Sequence, residues 1–284
     1  MNLLTRLSQI HELPTLPDVA VKIRQVVFSS DGDAALLAKL IERDPPLAAK
    51  VLKVANSSFY GGVAGSITSV QRAVTRIGFN EIGDIALAVS LIKKFSRTSS
   101  LLDYPAFWRH SLGAATLAGS LARRLKDDCS PDKHNEYFMA GLLHDIGILL
   151  YDQFFRDDFA KIISHAKNTG ISFVNAEANL FPEESHAALG GALLGHWRLG
   201  EAVAAGVGHH HDFDSSTQDH HAPIRQLTGA AEWLLRRAND KTFEGPDDCA
   251  LKFILGTEPK EPADLEELLT LANEASAQAE AFFL

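Results

Sequence analysis

Apolar residues recur along this chain with helical spacing. Leu36, Leu37, Leu40 and Ile41 follow the i, i+1, i+4, i+5 spacing of one helix face, and Asp33 stands where an N-cap belongs. Pro45 and Pro46 interrupt the pattern, and Leu47, Val51 and Val54 resume it as far as Asn56-Ser57. After a turn-rich stretch containing Gly61, Gly62 and Gly65, Ser69 is placed to cap a helix with Val70, Ala73, Val74 and Ile77 on its core face. Gly78 suits the C′ position of that helix, and Asn80 the N-cap of the next, where Ile82, Ile85, Ala86 and Val89 keep the 3.6-residue period. Alternating β-type stretches are scarce, which predicts an all-α fold.

Ser96, Arg97, Thr98, Ser99 and Ser100 read as a linker. Helical patterns follow at about 104–126, 136–154, 156–169, 173–179, 185–197, 200–210 and 223–239. A polar break from Asn239 to Asp247, then Pro259 and Pro262, precede a last helix, where Asp264 and Glu267 make a capping-box pattern ahead of Leu268, Leu269 and Leu271. This punctuation predicts a helical lobe over 1–98, a second over 101–238 and a C-terminal helical extension over 239–284.

The composition narrows the class. With 284 residues, 46% hydrophobic and 22% charged, the chain can bury a large core and fits no disordered or fibrous class. Two cysteines, Cys129 and Cys249, exclude a disulfide scaffold and a thiolate zinc site. No stretch approaches the ~20 apolar residues that span a bilayer, and the N-terminus reaches Arg6 too soon for a secretory segment, so a soluble, cytoplasmic protein is expected. The net charge is −9, distributed unevenly: residues 1–100 carry 12 basic and 8 acidic residues, which leaves −13 for the remainder. Such a protein is a poor general nucleic-acid binder, because that affinity rests on cations neutralising phosphates. Residues 69–92 have helix-turn-helix spacing, but the would-be recognition helix opens with Asn80, Glu81 and Asp84, so direct DNA binding is not expected.

Most of the 12 histidines lie beyond residue 100. The sharpest local feature is Gly141-Leu142-Leu143-His144-Asp145-Ile146-Gly147, read as a His-Asp pair inside an apolar helix. A buried carboxylate beside an imidazole is costly unless paired or bound to a cation. Neighbours on a helix point about 100° apart, so both can flank one metal. Gly147, one turn on, removes bulk where a second helix or a ligand can approach. His110 lies in a second apolar helix, His186 begins a third after Glu183-Glu184-Ser185, and His209, His210 and His211 end a fourth, followed by Asp212. The sequence leaves open which of the three consecutive histidines point inward. A single buried histidine is more often a hydrogen-bonded core residue, and histidines at a helix C-terminus suit its dipole. Joint occurrence in helices too apolar to need them favours a shared site for His110, His144, Asp145, His186 and His210. Imidazole and carboxylate together suit Fe, Mn, Zn or Ni.

At these residues the sequence resembles the HDOD family, a branch of the HD-domain superfamily of metal-dependent phosphohydrolases, over about residues 8–235. In the first lobe the resemblance rests on Leu13-Pro14-Thr15-Leu16-Pro17, Asp44-Pro45-Pro46-Leu47, Val54-Ala55-Asn56-Ser57 with Tyr60-Gly61, and Ala73 to Gly78. In the second it rests on Trp108-Arg109-His110-Ser111, the run from Ala140 to Gly147, Glu177 with Phe181 and His186, Trp197 with Leu199, and His210-His211. It implies an all-helical protein of bacterial signal transduction, with a regulatory protein partner or a nucleotide signal. By similarity to HD-GYP cyclic-di-GMP phosphodiesterases, it also implies metal ligands at His110, His144, Asp145, His186, His210 and His211. Glu232 stands where those enzymes usually carry Asp. One or two divalent transition metals are the implied cofactor.

Three departures argue against turnover. Ile148 stands in place of a phosphate-contacting Lys, Phe213-Asp214-Ser215-Ser216 in place of a Gly-Tyr-Pro segment, and Ala106, one turn before His110, offers no carboxylate for a third metal. Losing that Lys forfeits a charge-assisted contact, typically ~1.5–3 kcal/mol. The expectation is a regulatory protein with metal retained and weak or no catalysis. The alternative is an active phosphohydrolase acting on a nucleotide or cyclic dinucleotide.

Overall fold

A computed structural model of the chain describes residues 13–29, 32–60, 66–96, 101–124, 131–182, 184–212, 220–240 and 262–283. Every regular element among them is a helix, as the periodicity predicts. The first group is α1 (Asp18–Val27), α2 (Ala34–Glu42), α3 (Pro45–Ala55), α4 (Val70–Ile77) and α5 (Phe79–Phe95). The second is α6 (Tyr104–Ala122), α7 (Pro131–Leu143), α8 (Ile146–Phe154), α9 (Arg156–Thr169), α10 (Phe173–Leu180), α11 (His186–His196), α12 (Glu201–Gly208) and α13 (Ala222–Asn239). The last is α14 (Pro262–Glu280).

Local chemistry explains several helix starts. Asp33 caps α2 by accepting from the Ala35 nitrogen at 2.8 Å, Asp44 caps α3 through Leu47 at 3.1 Å, and Ser69 caps α4 through Arg72 at 3.3 Å. Gly78, at φ 113°, ends α4 in a backbone region that side chains avoid, and α5 starts at once with Phe79. Asn80 is therefore already inside α5 and does not cap it. In α2 the buried positions are Leu37, Ala38 and Ile41, and Leu36 faces solvent, since the helix turns its stripe one residue from the spacing expected. α14 begins at Pro262, which puts Asp264 in its first turn instead of ahead of it. The Gly61–Gly65 turn, Arg97–Ser100, the break at 241–247, Pro259, Phe213–Ser216, Cys129 and Cys249 lie outside the described residues.

α5 is the central helix of the first group. It packs on α1, α3 and α4, and its residues Ile82 to Leu91 are buried. Asp84 is buried with them, 3.5 Å from the His134 imidazole of α7. In the second group α6 packs along α7 and α13, and α11 lies against α8 and α12. The groups join through Asn135, which donates to the Val27 carbonyl at 3.2 Å, and through Trp197, whose indole N–H reaches the Pro14 carbonyl at 2.6 Å. α14 packs on α6 and α13 and also meets the first group, where Gln278 donates to Glu81 at 2.7 Å and touches Tyr60.

One expected helix is broken at a decisive place. The pattern over 136–154 reads as continuous, but the chain leaves α7 after Leu143, turns through His144 and Asp145, and restarts as α8 at Ile146. Asp145 sits at φ −95°, ψ 10°, and its side chain does not cap α8. The apolar residues are buried on both sides of the break, so periodicity alone carries no sign of it.

Candidate metal centre

Four imidazoles converge on Asp145 at the meeting of α6, α7, α8, α11, α12 and α13, and a fifth, that of His211, lies against one of them. His144 and His210 arrive by the same local device. α7 ends at Leu143 and α12 at Gly208, so carbonyls in each last turn lack intrahelical partners. The His144 Nδ1–H donates to the Gly141 carbonyl at 2.8 Å, and the His210 Nδ1–H to the Val207 carbonyl at 2.7 Å. A carbonyl only accepts, so Nδ1 must carry the proton and Nε2 turns inward. The pattern over 200–210 overruns α12 by two residues, because these histidines form a turn after it.

His186 is held from a helix N-terminus. Ser185 caps α11 through the Ala188 nitrogen at 3.1 Å, and Glu177 of α10 accepts twice from His186, from its backbone nitrogen at 2.6 Å and its Nδ1 at 2.8 Å. The approach of α8 to α11 requires Gly147, since a Cβ there would fall into the His186 backbone carbonyl. Gly141 plays the matching part against the Ala114 and Ala115 backbone of α6, which carries His110.

The inward nitrogens divide between the two oxygens of Asp145. Oδ2 lies 3.2 Å from His144 Nε2 and 3.7 Å from His110 Nε2, and Oδ1 lies 3.3 Å from His186 Nε2 and 3.8 Å from His210 Nε2. Across the cluster, His110 Nε2 is 3.2 Å from His144 Nε2, and His211 Nε2 is 3.1 Å from His186 Nε2. Two ligands about 2.1 Å from one metal at right angles are ~3.0 Å apart, the spacing these pairs show. Glu232 of α13 reaches the cluster: its Oε2 lies 3.7 Å from His210 Nε2 and 3.5 Å from His211 Nδ1, and Arg236 one turn on holds its Oε1 at 2.5 Å. Three overlapping groups have the compactness to hold a metal ion: His110, His144 and Asp145; His186, His210 and His211; His144, His210 and Glu232.

The electrostatics follow from burial and neighbours. Burial and the adjacent His144 push His110 down to about 4, and burial with His211 drives His210 well below its ordinary value. His186 is raised to about 10, because Glu177 and Asp145 outweigh its desolvation. Burial opposes ionisation of Asp145 and Glu232, yet the surrounding imidazoles, with Arg236 beside Glu232, hold both carboxylates ionised, Asp145 well below its ordinary value and Glu232 at about 2. His210 Nε2 is buried and has no hydrogen-bond partner. An orphaned acceptor among ionised carboxylates is a donor set for a cation.

Of the three consecutive histidines, His210 and His211 face the cluster, and His209 is exposed, as is Asp212. Ile148 packs against the apolar core. Sequence reasoning did not assign a role to Glu177, although a carboxylate on the buried face of a short helix was a visible signal, nor to Arg236, four residues after Glu232.

The profile of the HDOD domain matches residues 13–213. The crystal structure of an HDOD domain protein of unknown function from Geobacter sulfurreducens is similar at 27% identity and TM-score 0.81, with 99% of this chain and 98% of that one covered. A candidate phosphohydrolase from Shewanella amazonensis SB2B shares the fold at 22% identity and TM-score 0.74, covering 97% of each chain. A candidate signal transduction protein from Marinobacter aquaeolei VT8 shares it at 23% identity and TM-score 0.78, covering all of this chain and 62% of that one. No curated protein matches.

Proposed function

The chain belongs to the HDOD family, and from that premise we propose that it is a regulatory signal-transduction protein whose second helical group holds one or two divalent transition metals, with little or no turnover. The observation that carries this reading is the set of inward Nε2 atoms around Asp145, three of them fixed by outward hydrogen bonds from Nδ1. Such anchoring sets the tautomer that ligates and raises ligand basicity. The ligands would be His110, His144, Asp145, His186, His210, His211 and Glu232, with Asp145 shared between two positions. Bound there, a divalent cation supplies Lewis acidity toward an oxyanion.

The protein's own groups do the rest. Glu177 and the Gly141 and Val207 carbonyls orient imidazoles, and Arg236 balances the Glu232 charge. No lysine follows Gly147, so no cation from α8 meets a phosphoryl group at the cluster. This absence ranks regulation above hydrolysis. DNA recognition by α4 and α5 is disfavoured, because Ile82 to Leu91 of α5 are buried against neighbouring helices. No described helix is long and apolar enough to cross a membrane.

Elemental analysis of untagged protein, with a hydrolysis assay on cyclic di-GMP from the same sample, tests the reading. It expects one or two metal equivalents and turnover near background. Less than about a tenth of an equivalent removes the metal centre. Robust hydrolysis that His144→Ala abolishes makes the protein a phosphohydrolase instead.

A further inference from the structure

Among the described residues, one cavity is lined by His211 and another by His110, and they differ in charge. The larger, about 560 Å3, lies at His211 and is lined by Glu177, Glu184 and Asp212, with neither Lys nor Arg among its lining residues. The smaller, about 240 Å3, lies at His110 and contains Arg109. Along α6, Ala106 and Gly113 flank His110 at helical spacing, and their small size leaves a notch beside the imidazole. α13 walls it with Leu235 and Asn239, and α14 with Ser276 and Glu280. The His110 and His211 side chains are each 26% exposed and those of His144, His186 and His210 at most 1%, so each cavity meets a candidate ligand that solvent reaches, and of the two the one at His110 carries a cation among its lining residues.

We propose that this notch is an oxyanion subsite for a phosphate-type group, with Arg109 as its cation and Glu280 of the protein's own C-terminal helix occupying the place of the anion. Arg109 Nε lies 3.4 Å from Glu280 Oε1, and its guanidinium lies 5.4 Å from the Phe283 ring centroid. A guanidinium matches the planar geometry of carboxylate and phosphate alike, so Glu280 and a phosphoryl group compete for the same donors. The internal contact is weak: both side chains are substantially exposed, and an exposed ion pair is screened by solvent and salt. A dianion brings more charge than Glu280 and displaces it. The cavity is roughly eight times the ~30 Å3 share of one water molecule, room for a phosphoryl group with the remainder of the ligand outside.

Displacement has a route to the rest of the molecule. Gln278, two residues before Glu280, donates to Glu81 of α5 at 2.7 Å, so the helix end that leaves Arg109 also holds the first helical group. Anion binding at His110 thus acts beside the helix end that joins the two groups, a position suited to a regulator. The subsite rests on the metal-centre reading only in placing the oxyanion beside a candidate ligand.

Phosphate titration of the full-length protein by calorimetry, both metal-loaded and chelator-treated, tests the proposal. Glu280→Gln tightens phosphate binding by about fivefold, the scale of one exposed ion pair, and Arg109→Gln weakens it by at least about tenfold. Arg109→Lys, which keeps the charge and loses the fork, binds in between and controls for folding through its melting temperature. Binding seen only in Glu280→Gln also supports the subsite. Phosphate binding indifferent to Glu280 or to Arg109, or absent from every variant, overturns it. Arg109-dependent binding that persists without metal keeps the subsite even where the metal centre fails. Normal metal content with Arg109-independent binding sinks the subsite alone.

Discussion

Glu177 grips His186 at two points, with one carboxylate oxygen on its backbone nitrogen at 2.6 Å and the other on Nδ1 at 2.8 Å. The first bond satisfies an amide at the start of α11, and the second fixes the imidazole so that Nε2 faces Asp145.

Glu177→Gln keeps the shape and can keep the backbone bond. Its amide NH2, however, can face Nδ1 only if the imidazole changes tautomer, which places a proton on the ligating Nε2. Metal affinity should fall about 10–100-fold, read by competition with a chromophoric chelator. Unchanged affinity would show that Glu177 is a helix cap only.

Asp145 lies between the two halves of the cluster, and His110 belongs to one. Asp145→Asn should therefore lower total metal content more than His110→Ala does, measured by elemental analysis after identical dialysis. Equal losses would contradict a shared carboxylate.

Gly147→Ala drives a methyl group into the His186 backbone, where no flexible side chain can yield. The substitution should cost about 2–4 kcal/mol in chemical denaturation and reduce metal uptake as α8 and α11 separate. Ala at wild-type stability would mean that the helices part at no cost.

Asp84 is buried, and burial raises its carboxyl to about 6 against the opposing pull of His134 and Arg123. The folded state then binds a proton more tightly than the unfolded one from about pH 4 to 6. Stability from this group falls as pH rises through that window and stays low above it. Asp84→Asn removes the term, so the stability of the variant relative to wild type should grow with pH from 4 to 6.5. The gain is on the order of 3 kcal/mol at most. A pH-independent difference between the two proteins would refute the shift.

Much of the architecture was legible in the sequence because helix caps and apolar stripes are local. Asp33, Asp44 and Ser69 cap the helices they precede, and the pattern over 156–169 coincides with α9. Reading failed where two local rules compete. Gly78 both ends α4 and starts α5, which displaces Asn80 from the cap position, and the apolar run through His144 hides a break, because burial continues across it.

The sequence by itself determined the all-helical class and the residue types of the cluster, since helical period, capping and the cost of burying His and Asp are properties of short segments. Only the tertiary structure decided that Asp145 divides its oxygens between imidazoles from two helices and two turns. It also decided that His209 turns to solvent while His210 and His211 turn inward, that Glu177 and Arg236 support the cluster, and that Glu280 lies on Arg109. Those relationships join residues up to 171 positions apart, as Arg109 and Glu280 show, and arise from helix packing, which no local pattern encodes.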